Sequence, residues 1–451
     1  MGHAIIQFRY QLPVGQGFFH FAEFVELATS GERYSNSFAY VYDCGSTKRY
    51  SADLTREIGK LKKRDHFKKI DILFISHFHY DHVSGIQELL SGLRVDTVVM
   101  PLVDDVERLI VYAEAISQYQ FRLRGITGDA LAEYQEFIAD PIAVIKEKSE
   151  NSRVFLVENE LKENGEEHAC PNSDGEWPED DNSGKMTGDS ADRNTIQLRI
   201  VPRTREKSGE TAGANAGDWE CGTKKLPFGF QVGLQNGFQW LLLPFVDPSF
   251  AKSNSRKKFI TALSDCLKLS EEQTVKNISK PEERLNILRD HSECLKMAYG
   301  TISGDLNLTT LSLYSGPCSS SECRSYLIGS GYRCHRCGGR PDKVAWLGTG
   351  DANLKCDNAR ISFLKYFEAR LGNVGTMTLP HHGSENSFHP ELVEKIRPRY
   401  CVVAADRNSN WRHPASSVIQ AVASAGLRLH VTTSHVRSKF EEAIICCGDW
   451  A

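Results

Sequence analysis

The chain has 451 residues, of which 40% are hydrophobic and 25% charged, and its net charge is −4. That length exceeds one ordinary hydrophobic core, so a large domain with insertions, or two domains, is expected. The near-neutral balance argues against a whole-surface electrostatic grip on nucleic acid, though not against a local basic strip, and no apolar run reaches the length needed to cross a bilayer. The N-terminus, Met1-Gly2-His3-Ala4-Ile5-Ile6, has neither a basic region with an apolar stretch nor a myristoylation signal. A cytoplasmic location is expected. Thirteen cysteines, an odd number in such a chain, point to reduced thiols and a metal site rather than a disulfide framework.

Residues 4–10, 18–27 and 38–42 read as three strands, with a glycine turn Val14-Gly15-Gln16-Gly17 after the first and Asp43-Cys44-Gly45-Ser46 closing the third. The apolar run Ile70-Asp71-Ile72-Leu73-Phe74-Ile75 reads as a buried strand, and residues 85–90 as the first turns of a helix. Between them stand His77, His79, Asp81 and His82. They lie at the carboxyl end of a strand, on a loop feeding a helix, which is a usual place for an active site in an α/β sheet. Imidazole and carboxylate together suit zinc and its first-row neighbours. A polar loop that merely happens to be rich in histidine is the plainer alternative. The spacing argues against it, because two His separated by one residue and an adjacent Asp-His pair form two clusters, each able to hold one ion.

Residues 101–300 show helical periodicity over 109–118, 131–148, 257–267 and 281–297. The acidic segment 158–193, rich in Gly, Pro, Asn and Ser, is expected to be a mobile loop. Residues 194–201 read as a strand, and 229–246 as a hairpin around Gln235-Asn236-Gly237. This block is expected to be an insertion between a first half at 1–100 and a second at 301–451, and it could serve as a protein-binding cap. Basic runs occur at Lys62-Lys63-Arg64 with Lys68-Lys69, at Arg203, Arg205 and Lys207, and at Arg256-Lys257-Lys258. Each is more often a solvated face than a nucleic-acid contact. Further on, Cys318, Cys323, Cys334 and Cys337 form two close pairs ahead of Gly338-Gly339. Such spacing suits one structural Zn²⁺ in a small hairpin over 318–339, with buried reduced thiols as the alternative. No other cysteine pair stands out.

His-x-His-x-Asp-His at 77–82 resembles the signature of the metallo-β-lactamase fold superfamily. The resemblance implies an α/β fold, a four-layer αββα sandwich with metal ligands on loops at one edge of its two sheets. Several motifs narrow it to the branch typified by bacterial competence (DNA-internalisation) proteins, whose stand-alone relatives include ones found in phage defence. They are the Val14-Gly15-Gln16-Gly17 turn, the strand beginning Asn307-Leu308-Thr309-Thr310, Trp346-Leu347-Gly348-Thr349-Gly350-Asp351, Pro380-His381-His382-Gly383-Ser384, and Asn410-Trp411-Arg412-His413-Pro414. Together they cover about 1–100 and 300–451.

The resemblance implies roles for particular residues. His77 and His79 would hold one ion, and Asp81, His82 and a histidine from the 381–382 pair the other, with Asp351 bridging. His382 is favoured because His382-Gly383-Ser384 supplies the His-x-Ser pattern of relatives, and His381 is the alternative. Asp43 would support the metal loop from behind the ligands, as would Ser384. Asp81, Asn307 and His413 are the candidates for catalysis. His413 could shuttle a proton or bind a phosphate oxygen, or equally cap the next helix. Many superfamily members give the first ion a third histidine; Asn307 stands near that place here, and His291 reads as a solvated helix-surface residue. Two divalent ions, Zn²⁺ in preference to Mn²⁺, would neutralise charge on attacking and leaving oxygens. The implied activity is a two-metal phosphodiesterase or nuclease on DNA or RNA. A metallohydrolase of a small ester, lactone or nucleotide derivative is the alternative, because the fold alone does not set the substrate.

Overall fold

Along the first strand Ile5, Gln7, Arg9 and Gln11 are buried while Ile6, Phe8 and Tyr10 are half-buried, the alternation of a strand with one face toward a second layer. The computed structural model describes residues 4–27, 37–64, 69–117, 128–158, 185–186, 197–201, 223–225, 229–233, 239–247, 254–302, 308–317, 323–327, 343–406 and 412–447.

The chain opens with β1 (Ala4–Gln11), β2 (Gly17–Leu27), β3 (Ser37–Ser46), α1 (Ser51–Lys62) and β4 (Lys69–Phe74). The short helices α2 (Tyr80–Val83) and α3 (Ile86–Leu90) lead to β5 (Arg94–Pro101), followed by α4 (Asp105–Ser117), α5 (Asp129–Ala139), α6 (Pro141–Lys148) and β6 (Arg153–Val157). Then come β7 (Lys185–Met186), β8 (Gln197–Val201), β9 (Thr223–Lys225), β10 (Gly229–Gly233) and β11 (Gln239–Val246). Four helices follow: α7 (Asn254–Leu267), α8 (Glu271–Ile278), α9 (Pro281–Asp290) and α10 (Ser292–Gly300). The last part contains β12 (Leu311–Pro317), β13 (Cys323–Leu327), β14 (Ala345–Gly348), α11 (Asp357–Leu371), β15 (Val374–Thr378), α12 (Glu391–Ile396), β16 (Tyr400–Ala404), α13 (Ser416–Ser424), β17 (Arg428–Thr432) and β18 (Phe440–Cys447).

Among the described residues these strands form two sheets, ordered β13-β18-β1-β2-β3-β4-β5-β6-β9 and β17-β16-β15-β14-β12-β11-β10-β8-β7. Each sheet is antiparallel on one side and parallel on the other: β3, β4, β5, β6 and β9 run parallel in the first, β14, β15, β16 and β17 in the second. One apolar cluster, with Phe18, Phe24, Tyr42, Phe74, Trp240, Leu313 and Trp346, lies between the sheets. A second joins the outer face of the first sheet to α1, α3 and the helices from α4 to α10. A third joins the second sheet to α11, α12 and α13. The fold is therefore α/β, a four-layer αββα sandwich. A buried ion pair on the first sheet ties it to the second: Arg9 Nη2 of β1 donates to Glu442 Oε2 of β18 at 2.6 Å, Glu442 also accepts from Thr376 Oγ1 of β15 at 2.8 Å, and Arg9 Nη1 donates to Val344 O at 2.8 Å.

Several expectations change. Strands from residues 101–300 join both sheets, β6 and β9 the first and β8, β10 and β11 the second. The helical stretch 131–148 is two helices, because Pro141 cannot donate a backbone hydrogen bond and Asp140 caps the second one through Ala143 N. Residues 281–297 likewise divide into α9 and α10. Cys266 and Cys294 form a disulfide between α7 and α10, which corrects the expectation of reduced thiols throughout. Their spacing carries no motif, and only the packing of α10 against α7 brings them together. Cys318, Cys334, Cys337, Asn307 and the bulk of the 158–193 loop lie outside the described residues, while Cys323 opens β13 at a sheet edge. No helix among the described residues is long and apolar enough to cross a membrane.

Candidate metal centre

The two parallel half-sheets end at one edge of the sandwich, and the candidate residues follow those ends directly: Asp43 at the end of β3, His77 to His82 after β4, Asp351 after β14, and His381 and His382 after β15. Two glycines let these loops converge. A Cβ on Gly45 would meet the backbone of His82 at 2.4 Å and of Asp81 at 2.6 Å, so only glycine lets α2 sit on the end of β3. Gly350, at φ 53°, turns the chain so that Asp351 enters the site.

Two groups of donor atoms result. His77, His79 and Asp351 form one, and Asp81, His82 and His382 the other, with the atoms of each group within 4.8 Å of one another. Asp351 stands between them. Its Oδ2 faces His77 Nε2 at 3.4 Å and His79 Nδ1 at 4.0 Å, and its Oδ1 faces His82 Nε2 at 3.2 Å and His382 Nε2 at 3.9 Å. His382 Nε2 also lies 3.5 Å from Asp81 Oδ2. His381, more exposed, points its Nε2 at Asp351 Oδ2 from 3.6 Å. Both histidines of the pair thus face the Asp351 carboxylate, one toward each oxygen.

Every imidazole here has its outward nitrogen engaged, which decides what the inward nitrogen can do. His382 Nδ1 donates to Ala404 O at 2.7 Å. His82 Nδ1 donates to Asp43 Oδ2 at 2.8 Å. Ser76 Oγ donates to Asp43 Oδ2 at 2.6 Å, and so accepts from His77 Nδ1 at 2.8 Å. Asp43 Oδ1 takes the backbone N–H of Ser76 at 2.6 Å, so this one carboxylate orients a histidine of each group. His79 Nε2 meets Glu114 Oε2 of α4 at 3.3 Å. His381 Nδ1 meets Ser387 Oγ at 3.2 Å, and Ser384 Oγ accepts from Asn386 N.

The electrostatics show what such a donor set lacks. Burial, helped by the neighbouring His82, pushes His77 well below the usual imidazole value. Burial alone would raise Asp351, yet His381, His82, His77 and His382 together hold it well below the carboxylate range. Burial also opposes charge on His82, but Asp351 and Asp43 outweigh it and hold that imidazole well above its usual value. Among the described residues Asp351 Oδ2 is buried without a hydrogen-bond donor. Imidazole lone pairs and buried carboxylate oxygens converging on two points repel one another unless a cation separates them. The residues therefore fit two divalent ions, and N/O donors suit zinc or manganese.

Residues 33–151 match the family model of the metallo-beta-lactamase superfamily. The chain carries a metallo-β-lactamase superfamily domain. Over 86 residues it is also 24% identical to ComE operon protein 3 of Bacillus subtilis (strain 168), a stretch that is 19% of this chain and 10% of that relative. The chain thus aligns with about a tenth of that relative's length. The match to that family model over residues 33–151 and the two donor groups support a metal-dependent hydrolase. His77, His79, Asp81, His82 and Glu114 lie within the matched part of the metallo-β-lactamase domain, and Asp351, His381 and His382 join them from beyond it.

At the rim, the His413 ring centroid lies 5.9 Å from that of His381 and 6.4 Å from that of His382. His291 is exposed at the start of α10. Of the basic runs, Arg64 pairs with Glu23, Lys69 with Asp71 and Asp96, and Arg256 with Asp104. Arg203, Arg205 and Lys207 lie outside the described residues. Sequence reasoning missed Glu114 and Ser387. The available signal for Glu114 was a glutamate in the otherwise apolar stretch 109–116, flanked by Ala113 and Ala115.

Proposed function

We propose that the chain is a two-metal phosphodiesterase that cleaves nucleic acid. The observation that carries this reading is Asp351, whose two oxygens face two separate His/Asp groups. Divalent ions in those groups would lower the pKa of water and neutralise charge on a phosphoryl centre. The protein supplies the rest. His77 and His79 with Asp351 would hold one ion, Asp81, His82 and His382 with the same carboxylate would hold the other, and His381 would add a nitrogen on the first side. Asp43 keeps His77 and His82 in the tautomers that present Nε2 inward. His413, at the open rim beside His381 and His382, gives a proton to the leaving oxygen. A nucleic-acid substrate accords with the competence-type motifs and with the similarity to ComE operon protein 3. A place in phage defence is no part of this proposal.

One observation favours a second reading, hydrolysis of a small ester, lactone or nucleotide derivative: the described basic runs each have a member neutralised by an acidic partner, which weakens a polyanion track. Both readings meet one experiment. Metal-free and Zn²⁺- or Mn²⁺-loaded protein is incubated with plasmid, single-stranded DNA, RNA and a cyclic dinucleotide. Metal-dependent cleavage of a polymer is expected, slowed on the order of 10²-fold or more by Asp351→Asn. His413→Ala is expected to slow turnover with both ions retained. No polymer cleavage by the loaded chain would overturn the nuclease reading, and turnover of the dinucleotide alone would establish the second.

A further inference from the structure

We infer that Glu114 is a positioning residue for the first metal ion, and that through it helix α4 sets how tightly that ion is held. The inference rests on the two-metal reading above. An imidazole at position 79 brings two nitrogens into a site where His79 is only 4% exposed. Its Nδ1 stands 3.0 Å from His77 Nε2 and faces Asp351. The other nitrogen would be a stranded donor or acceptor if nothing met it, and a buried polar group left so is costly. Glu114 Oε2 meets it at 3.3 Å. A carboxylate there fixes the hydrogen on Nε2, leaves the Nδ1 lone pair inward, and makes that lone pair a stronger donor.

Glu114 does not come from any loop that carries the other donors. It sits on α4, two helical turns after Glu107 and therefore on the same face. Glu107 takes the backbone N–H and the hydroxyl of Thr309 at 2.6 and 2.9 Å. The chain from Thr309 runs straight to Leu311, whose N–H donates to Ser76 O at 2.7 Å beside His77. Two buried glutamates of α4 thus bear on the first donor group, Glu114 directly at His79 and Glu107 through the segment 309–311 that meets Ser76 beside His77. Helix α4 is in turn packed against α10, so the helical layer built from residues 101–300 bears on the site through this face.

The test is metal binding rather than turnover. Metal-free wild type, Glu114→Gln and Glu114→Ala are titrated with Co²⁺, following both stoichiometry and the visible absorption of each bound ion. Wild type is expected to bind two ions. Glu114→Ala should weaken one of them by about 10- to 100-fold, with its absorption band altered and the other ion unchanged. Glu114→Gln, which keeps the shape and an accepting oxygen, should fall between. Melting of the metal-free forms separates positioning from folding: equal loss of both ions with a lowered melting temperature in Glu114→Gln would overturn the inference. So would two ions bound by Glu114→Ala with wild-type affinity and spectrum. A wild-type chain that takes up no ion would instead overturn the metal-centre reading itself, and this inference with it.

Discussion

Glu107 is the buried carboxylate whose behaviour is simplest to read from outside. It is 3% exposed, and desolvation lifts its pKa from 4.5 to about 7 even though the N–H and hydroxyl of Thr309 pull the other way. The folded chain therefore binds this proton more tightly than the unfolded chain does. Its contribution to stability is fully present below the unfolded value of 4.5, falls as pH rises toward about 7, and is constant above that. Urea midpoints of Glu107→Gln should accordingly vary less with pH across that window than those of wild type; parallel slopes would contradict the reading. Backbone strain gathers nearby. Asp43, His381, His382 and Arg412 all adopt positive φ, from 49° to 58°, a conformation costing roughly 1–2 kcal/mol per residue away from glycine. Strain of that kind concentrates at functional sites. The ligand-type residues were legible because their spacing is local. Glu114 was not, since a helix face and a distant loop meet only after folding, and Ser387 was hidden behind the more familiar Ser384.

Helices α7 and α10 show how far an element's neighbours escape a linear reading. Each is amphipathic enough to be foreseen, but their covalent link through Cys266 and Cys294, 28 residues apart, was not. A loop of that length constrains the unfolded chain by roughly 3–4 kcal/mol on a chain-entropy model. Cys266→Ser/Cys294→Ser should therefore melt lower than the oxidised wild type, and reduced wild type should match the variant. Identical melting with and without reductant would show that the bond does not hold these helices. The split between α5 and α6 was readable in principle from Asp140-Pro141, an N-cap followed by a proline at the first helical position. The continuous periodicity over 131–148 masked it. Strands fared better than boundaries: the expected run at 70–75 is β4 at Lys69–Phe74, and 38–42 is the middle of β3 at Ser37–Ser46.

The sandwich as a whole was foreseen from the histidine cluster at 77–82 and the resemblance it carries; that cluster follows parallel β4 in the first sheet, and the motifs at 346–351 and 380–384 follow parallel β14 and β15 in the second. What those motifs could not convey was the membership of residues 101–300. Their strands carry little motif content, and β-pairing with partners far along the chain is what places β6 beside β5 and β11 beside β12. As a consequence, residues 101–300 contribute strands to both sheets and, through Glu114 of α4, meet His79. The whole proposal depends on cations at the meeting of the two half-sheets. Zinc-edge anomalous scattering from crystals of the Zn²⁺-loaded chain addresses that directly. Two peaks are predicted, one among His77, His79 and Asp351 Oδ2, the other among Asp81, His82, His382 and Asp351 Oδ1. Peaks elsewhere, or none at either group, would contradict it.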